Sequence, residues 1–568
     1  MLKNKQFLLL TKLKKKIESR EIYNSKKLLI SNEIKDDENN KKIELDKTID
    51  VNQNQFSLNN VDKKENKIDI PKKKIDILQP SYFGYLSGVL TTVWDEFGKK
   101  IDENSILKYK VKKDVGTKND EQNLSKTKIS KILIKDIPKV KVINMTKMHV
   151  NELLLAQSTS SKLLRIQALI SHIQEFRSSR MTAIKNHLLI PHLLDLVETG
   201  KDVQVQEEAR KCLSILGYPP YLKSSGIRIL SIDGGGTRGI IGLTVLEAIE
   251  KTAGKKIYEL FDFISGVSTG AILAVLLGIK KISVDECRRN YVDLSRRLFT
   301  QQKLPGVSGL LTLHSFYNTS LWTEILKENV GDSMTCADSA KYKDIPKISI
   351  VSCILNSPQL QPFVFRNYEL PVGHDSQFKG GNNFKIWQAV QASSAAPGYF
   401  EEVRLGSIVH QDGGILANNP TAIAIHEAKH LWPNEDIQCV VSIGTGRSVS
   451  EIEFLNCDQY LTKTYSKISK IIDSATDSQA THICVNDLLP GGMYYRLNPY
   501  MSFPYALDEI EDSKLEQMKR DAELYVRRNI KKIEDCSKQL IKKPTLTHII
   551  KKKVTNKLNQ MGIFQNNF

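Results

Sequence analysis

Between residues 261 and 279 the chain runs from Phe261-Asp262-Phe263-Ile264-Ser265 through Gly266-Val267-Ser268-Thr269-Gly270 into an unbroken apolar stretch. This succession reads as a short strand, a tight turn and a buried helix, and a strand feeding a helix so directly belongs to the α/β class. Glycines at 266 and 270 permit a turn sharper than side-chain-bearing residues allow. The serine between them is thereby lifted to a helix N-terminus, where developing negative charge is stabilised. Gly-x-Ser-x-Gly arises by chance often. The strand before it and the helix after it supply the context a nucleophile needs, which makes Ser268 the candidate nucleophile.

The surrounding sequence carries the same alternation. Strands are expected at 227–232, 261–265, 348–354 and 440–443, and helices at 240–252, 269–278 and 422–431. Such a rhythm implies a mostly parallel sheet covered by helices. Immediately after the first strand stands Asp233-Gly234-Gly235-Gly236-Thr237-Arg238-Gly239. Glycines here let backbone N–H groups converge on an anion. The loop suits a phosphate cradle or an oxyanion hole, and with Asp262 it also fits a dinucleotide fingerprint. A serine nucleophile needs a base. Asp412, in Gln411-Asp412-Gly413-Gly414, is the nearest candidate, with His410 two residues earlier on the same side of a strand. The order Ser268, Asp412, His426 also permits a Ser-His-Asp esterase, although His426 falls inside the expected helix after Asn419-Pro420.

Glycine loop, serine turn and Asp-Gly-Gly, in that order, resemble the patatin-like phospholipase family over about residues 227–446. The runs Ala392-Ser393-Ser394-Ala395-Ala396-Pro397-Gly398-Tyr399-Phe400, Asn418-Asn419-Pro420 and Gly444-Thr445-Gly446 carry the same resemblance. With the helical segment that precedes them, the calcium-independent branch of gamma type is the most similar. The resemblance implies a Ser268–Asp412 dyad, with the loop Gly234, Gly235, Gly236, Thr237, Arg238 and Gly239 donating to the oxyanion. Gly266 and Gly270 would then shape the nucleophile turn, and Gly413 and Gly414 the base motif. It implies no metal and no cofactor. The substrate would be membrane phospholipid, with lysophospholipid and neutral glyceride as alternatives. A nucleotide-binding protein and a catalytically inactive membrane scaffold are the readings of other classes.

The expected fold is α/β, a patatin-like three-layer fold with a mostly parallel sheet, preceded by a small armadillo/HEAT-like helical layer and a disordered N-terminal region. Residues 1–76 are basic, poor in aromatics and expected to be disordered. Their first 17 residues hold six lysines and no acid, a weak resemblance to a targeting helix. Residues 77–143 hold an aromatic island around Tyr82-Phe83 and Trp94, then a charged linker. Helical spacing of Leu163, Ile166, Leu169, Ile170 and Ile173 marks a helical layer over 144–222. The catalytic region is placed at 227–446 and a mixed, helical extension with a basic tail at 447–568. Within that extension 510–537 reads as one amphipathic helix.

The net positive charge is concentrated at the ends. Residues 1–150 carry a net +12 and 531–568 a net +7 of the overall +18, so the body is near neutral. Basic flanks suit peripheral contact with an anionic membrane surface; no nucleic-acid partner is expected, and the oligomeric state stays open. Eight scattered cysteines without a CxxC pair read as reduced thiols of an intracellular protein. Mitochondrion and endoplasmic reticulum are the compartments considered. The chain ends Gln565-Asn566-Asn567-Phe568, without the peroxisomal tripeptide that the resemblance would imply.

Overall fold

The computed structural model describes residues 137–300, 317–447 and 478–544, with single positions at 546, 549, 550 and 554. The basic region 1–76, the aromatic island and the linker up to residue 136 lie outside the described residues, as does most of the basic tail.

Among the described residues five helices come first: α1 (Lys139–Leu155), α2 (Thr159–Glu175), α3 (Ser179–Ile184), α4 (Leu189–Thr199) and α5 (Val203–Ile215). The layer begins five residues ahead of the expected 144, because Val142, Thr146, Val150 and Leu153 already form a buried stripe behind Pro138. Side chains of Ser158 and Asp202 cap α2 and α5 by accepting the N–H groups of Ser161 and Val205. Leu153, Ile166, Leu169, Leu193, Ala209 and Cys212 close a core of their own. Pairs such as Arg180–Glu369 and Lys211–Asp338 join the layer to the α/β part of the chain.

That second part contains β1 (Ile227–Ile232), α6 (Gly239–Ala253), β2 (Phe263–Val267), α7 (Thr269–Ala274), α8 (Val284–Phe299), α9 (Thr319–Val330), β3 (Lys347–Ile354), β4 (Gln361–Arg366) and β5 (Lys379–Gly381). Then come α10 (Ile386–Ser393), β6 (Val403–Leu405), β7 (Ile408–Asp412), α11 (Thr421–Leu431), β8 (Ile437–Ile443), α12 (Gln479–Leu488), β9 (Tyr494–Leu497), α13 (Asp512–Arg528) and α14 (Ile530–Ile541). Strand order is β5-β4-β3-β2-β1-β8-β9, with β7 beside β3 and β6 beside β7. The β2–β3, β1–β2, β1–β8 and β8–β9 pairs are parallel. β4 and β7 run antiparallel to β3.

Alternation along the strands divides the apolar residues between two faces. Leu230, Ile232, Ile264, Val441 and Ile443 face one core with α6, α8 and α9. Ile227, Ile229, Phe263 and Val440 face another, covered by α11 through Ala424, Ala428 and Leu431. The sheet is therefore the middle of three layers. Among the described residues no helix is long and apolar enough to cross a membrane, and the seven described cysteines are free.

Two expectations need correction. The segment 510–537 is two helices, because Asn529 (φ −115°, ψ 23°) breaks the turn between α13 and α14. The chain beyond 446 is also part of the sheet and its cover. β9 pairs with β8, and α13 and α14 pack on α6.

Candidate active site

Chain order switches direction at β1, which has β2 on one side and β8 on the other. A crevice forms where such a sheet switches, beyond the carboxyl ends of the strands. The glycine loop leaves the end of β1 at this crevice, the serine turn leaves β2, and Gly444-Thr445-Gly446 leaves β8. Asp262 precedes β2 and so lies at the opposite edge, where it holds Arg228 by two charged hydrogen bonds of 2.9 and 2.8 Å. That separation removes the dinucleotide reading.

Register along β3 brings Ser268 and Asp412 together. Val267, the last residue of β2, pairs with Val351, and Asp412, the last of β7, pairs with the next residue, Ser352. β4 occupies the other edge of β3, so β7 takes over the edge that β2 leaves as the chain turns away at Ser268. Ser268 and Asp412 line the same cavity, and the serine side chain favours the ionised Asp412 carboxylate. Burial pushes that carboxyl up to about 6, although the bond from the Gly414 N–H (2.7 Å) and the Ser268 side chain pull it down.

Ser268 itself is the left-handed residue of the turn, at φ 53° and ψ −118°. Its flanking glycines are needed for close approach. A Cβ on Gly266 would lie 2.1 Å from the carbonyl oxygen of Gly270, and one on Gly270 2.2 Å from that of Ile232. Helix α7 continues as a π-helical turn over Val275–Ile279.

The glycine loop is selective in what it offers. Amides of Gly234, Thr237 and Arg238 are bonded to the carbonyls of Asn418, Leu507 and Gly235, and that of Gly239 to Gly236 and Thr237. These four are thereby withdrawn from the set of six expected donors. Among the described residues the amides of Gly235 and Gly236 have no acceptor, and both residues line the cavity. Each is aimed from behind. Thr445 Oγ1 donates to the Gly234 carbonyl (2.6 Å), in the peptide that carries the Gly235 N–H. Arg238 Nε donates to the Gly235 carbonyl (3.1 Å), in the peptide that carries the Gly236 N–H. Because C=O and N–H point oppositely across a trans peptide, fixing the oxygen fixes the amide.

The cavity has two characters. Its lining joins Ser268, Asp412, Gly235, Gly236 and Arg238 to an apolar wall that includes Ile272, Leu294, Leu298, Phe299, Trp322 and Phe400. His426 does not line it; its Nε2 accepts from the Gln377 N–H at 3.2 Å. His410 is fully buried against Phe363 and Phe365, bonded through Nδ1 to Ser352 at 3.0 Å and pushed down to about 4 by burial. Among the described residues no group of three His, Cys, Asp or Glu could hold a metal ion.

Residues 230–425 match the family model described as patatin-like phospholipase. Over 463 residues the chain is 38% identical to calcium-independent phospholipase A2-gamma of Mus musculus, covering 81% of this chain and 58% of that one. With the Rattus norvegicus protein of the same name it shares 40% over 412 residues, 72% of this chain and 52% of that one. The chain carries a patatin-like phospholipase domain over residues 230–425. It spans little more than half the length of these relatives. A more distant relative is phospholipase A I of Arabidopsis thaliana, 31% identical over 385 residues, covering 56% of this chain and 29% of that one.

Around this patatin-like domain's candidate site several residues carried no assigned role in the sequence. Arg496 of β9 grips buried Asp233, at the head of the glycine loop, with Nη1–Oδ1 2.9 Å and Nη2–Oδ2 2.5 Å. Leu507 lines the cavity and holds the Thr237 amide through its carbonyl at 2.8 Å. Thr269 Oγ1 and Tyr291 Oη both donate to the Gly236 carbonyl. Strand order would have revealed Thr445, since β8 ends beside β1; nothing local marks Arg496 or Tyr291.

Proposed function

We propose that this chain is a calcium-independent phospholipase that hydrolyses fatty acyl esters of membrane glycerophospholipids through Ser268 and Asp412. The observation that carries the reading is one cavity lined by the buried Asp412 carboxyl, pushed up to about 6, by a serine on a helix N-terminus and by two glycines with acceptor-free amides. Ser268 Oγ attacks the ester carbonyl carbon as Asp412 takes the hydroxyl proton. The Gly235 and Gly236 amides receive the oxyanion. Collapse expels the lysophospholipid alkoxide, which takes the proton from Asp412. Water, deprotonated by Asp412, then releases the fatty acid and restores the serine. A carboxylate above its ordinary value of about 3.9 is a better base while still ionised near neutrality. The apolar wall offers the acyl chain a dry place, and the basic flanks would hold the body at an anionic leaflet.

With excess chelator, purified full-length chain is expected to release fatty acid from phosphatidylcholine vesicles at its unchelated rate. A requirement for calcium, or no release from any phospholipid, would overturn the reading. Thr445→Val removes the hydroxyl that aims the Gly235 amide. Since loss of a whole oxyanion donor costs roughly 10²–10³ in kcat, kcat is expected to fall about ten- to hundredfold with KM nearly constant, as measured by steady-state ester hydrolysis.

A further inference from the structure

We propose that Ser393, which lies outside the cavity, is the positioning residue that sets Ser268 against Asp412; the inference rests on the dyad reading. Ser393 is fully buried at the end of α10. Its Oγ accepts the Ser268 N–H at 2.9 Å and donates its own proton to the Val351 carbonyl at 2.6 Å. Val351 is the residue that closes the β2–β3 ladder opposite Val267. One residue further on, the chain has turned into its left-handed conformation. The Ser393 hydroxyl stands between the Ser268 amide and β3, linking the strained residue to the sheet by two hydrogen bonds in series.

The same segment carries the base. The Ser393 carbonyl accepts the Gly413 N–H at 3.3 Å, and the Ala395 carbonyl accepts the Asp412 N–H at 3.0 Å. Both reacting side chains therefore hang on one three-residue stretch, within the Ala392–Phe400 run whose role the sequence left unassigned. Ser393 touches neither substrate nor reacting atoms; it acts through the backbones of Ser268 and of the Asp412 turn. A displacement of about 1 Å at such a site can lower a rate about a hundredfold.

The experiment uses the full-length chain and two substrates, phosphatidylcholine vesicles and a soluble p-nitrophenyl ester. Ser393→Ala is expected to lower kcat ten- to hundredfold on both with KM within about twofold. Ser393→Thr, which keeps the hydroxyl, should recover most of the loss. The ascending limb of kcat/KM against pH should also move upward in Ser393→Ala. A Ser268 hydroxyl drawn away from Asp412 no longer favours the carboxylate, so the base titrates higher. Wild-type kcat and an unmoved limb in Ser393→Ala overturn the proposal, as does a loss that follows melting temperature equally in the Ala and Thr variants. If Ser268→Ala and Asp412→Ala remain active, the dyad reading has failed instead, whatever Ser393→Ala does.

Discussion

Ser268→Ala is expected to lower kcat on phospholipid vesicles by about 10⁵- to 10⁶-fold, the scale seen when a serine protease loses its nucleophile. Binding to vesicles should persist, because the substitution removes one small hydroxyl and leaves the apolar wall of the cavity unchanged. Retention of more than about a hundredth of the activity would show that another group attacks the ester. The same position has a stability signature. At φ 53° and ψ −118° a residue with a Cβ is strained, by about 1–3 kcal/mol. Alanine keeps that strain and glycine relieves it, less about 0.5–1 kcal/mol for the freer unfolded chain. Ser268→Gly should therefore be as inactive as Ser268→Ala yet more stable by about 1 kcal/mol in denaturant unfolding.

Asp412→Asn should abolish turnover and stabilise the protein above pH 6. The amide keeps an oxygen for the Gly414 N–H but cannot take a proton from Ser268. The stability sign follows from linkage. Burial raises the Asp412 carboxyl from 3.8 to about 6, so between these values the folded chain holds a proton that the unfolded chain releases. Its contribution is full below about pH 4 and is lost as pH rises through about 6. Two pKa units correspond to about 3 kcal/mol. Wild type should lose stability over that window, and Asp412→Asn should not, by denaturant midpoints at pH 4 and 8. Equal pH dependence in both would place the carboxyl at its ordinary value. In the active enzyme the same titration should appear as a kcat/KM limb rising through about pH 6, because only the carboxylate accepts the proton.

The parts of the site that the sequence reveals are those written locally. A strand, two glycines around a serine and an apolar helix are adjacent in the chain, so Ser268 was legible, as was Asp412 between its strand and its glycines. The alternation of strands and helices gave β1 as it stands, whereas β8 starts three residues earlier than expected, over Ile437–Ile443, and β2 runs two residues later, over Phe263–Val267. What stayed hidden depends on register and strand order. No local pattern tells that β7 takes over the edge of β3 where β2 leaves it, or that Arg496 meets Asp233 across 263 residues. The six-residue loop looked uniform because two of its amides, those of Gly234 and Thr237, are engaged by carbonyls far along the chain, at Asn418 and Leu507. His426 offered the right residue in the right order, and the helix α11 holds it away from the cavity.

Arg496 and Leu507 give the site an order of assembly in time. A nascent chain that has emerged only as far as β8 already carries Ser268, Asp412 and both glycine-rich turns. It also has Asp233 without its counter-ion, and a buried carboxylate lacking its partner is costly. The amide of Thr237 equally lacks the carbonyl that fixes it. The glycine loop is therefore fixed at both points only once β9 and the loop behind it are in place.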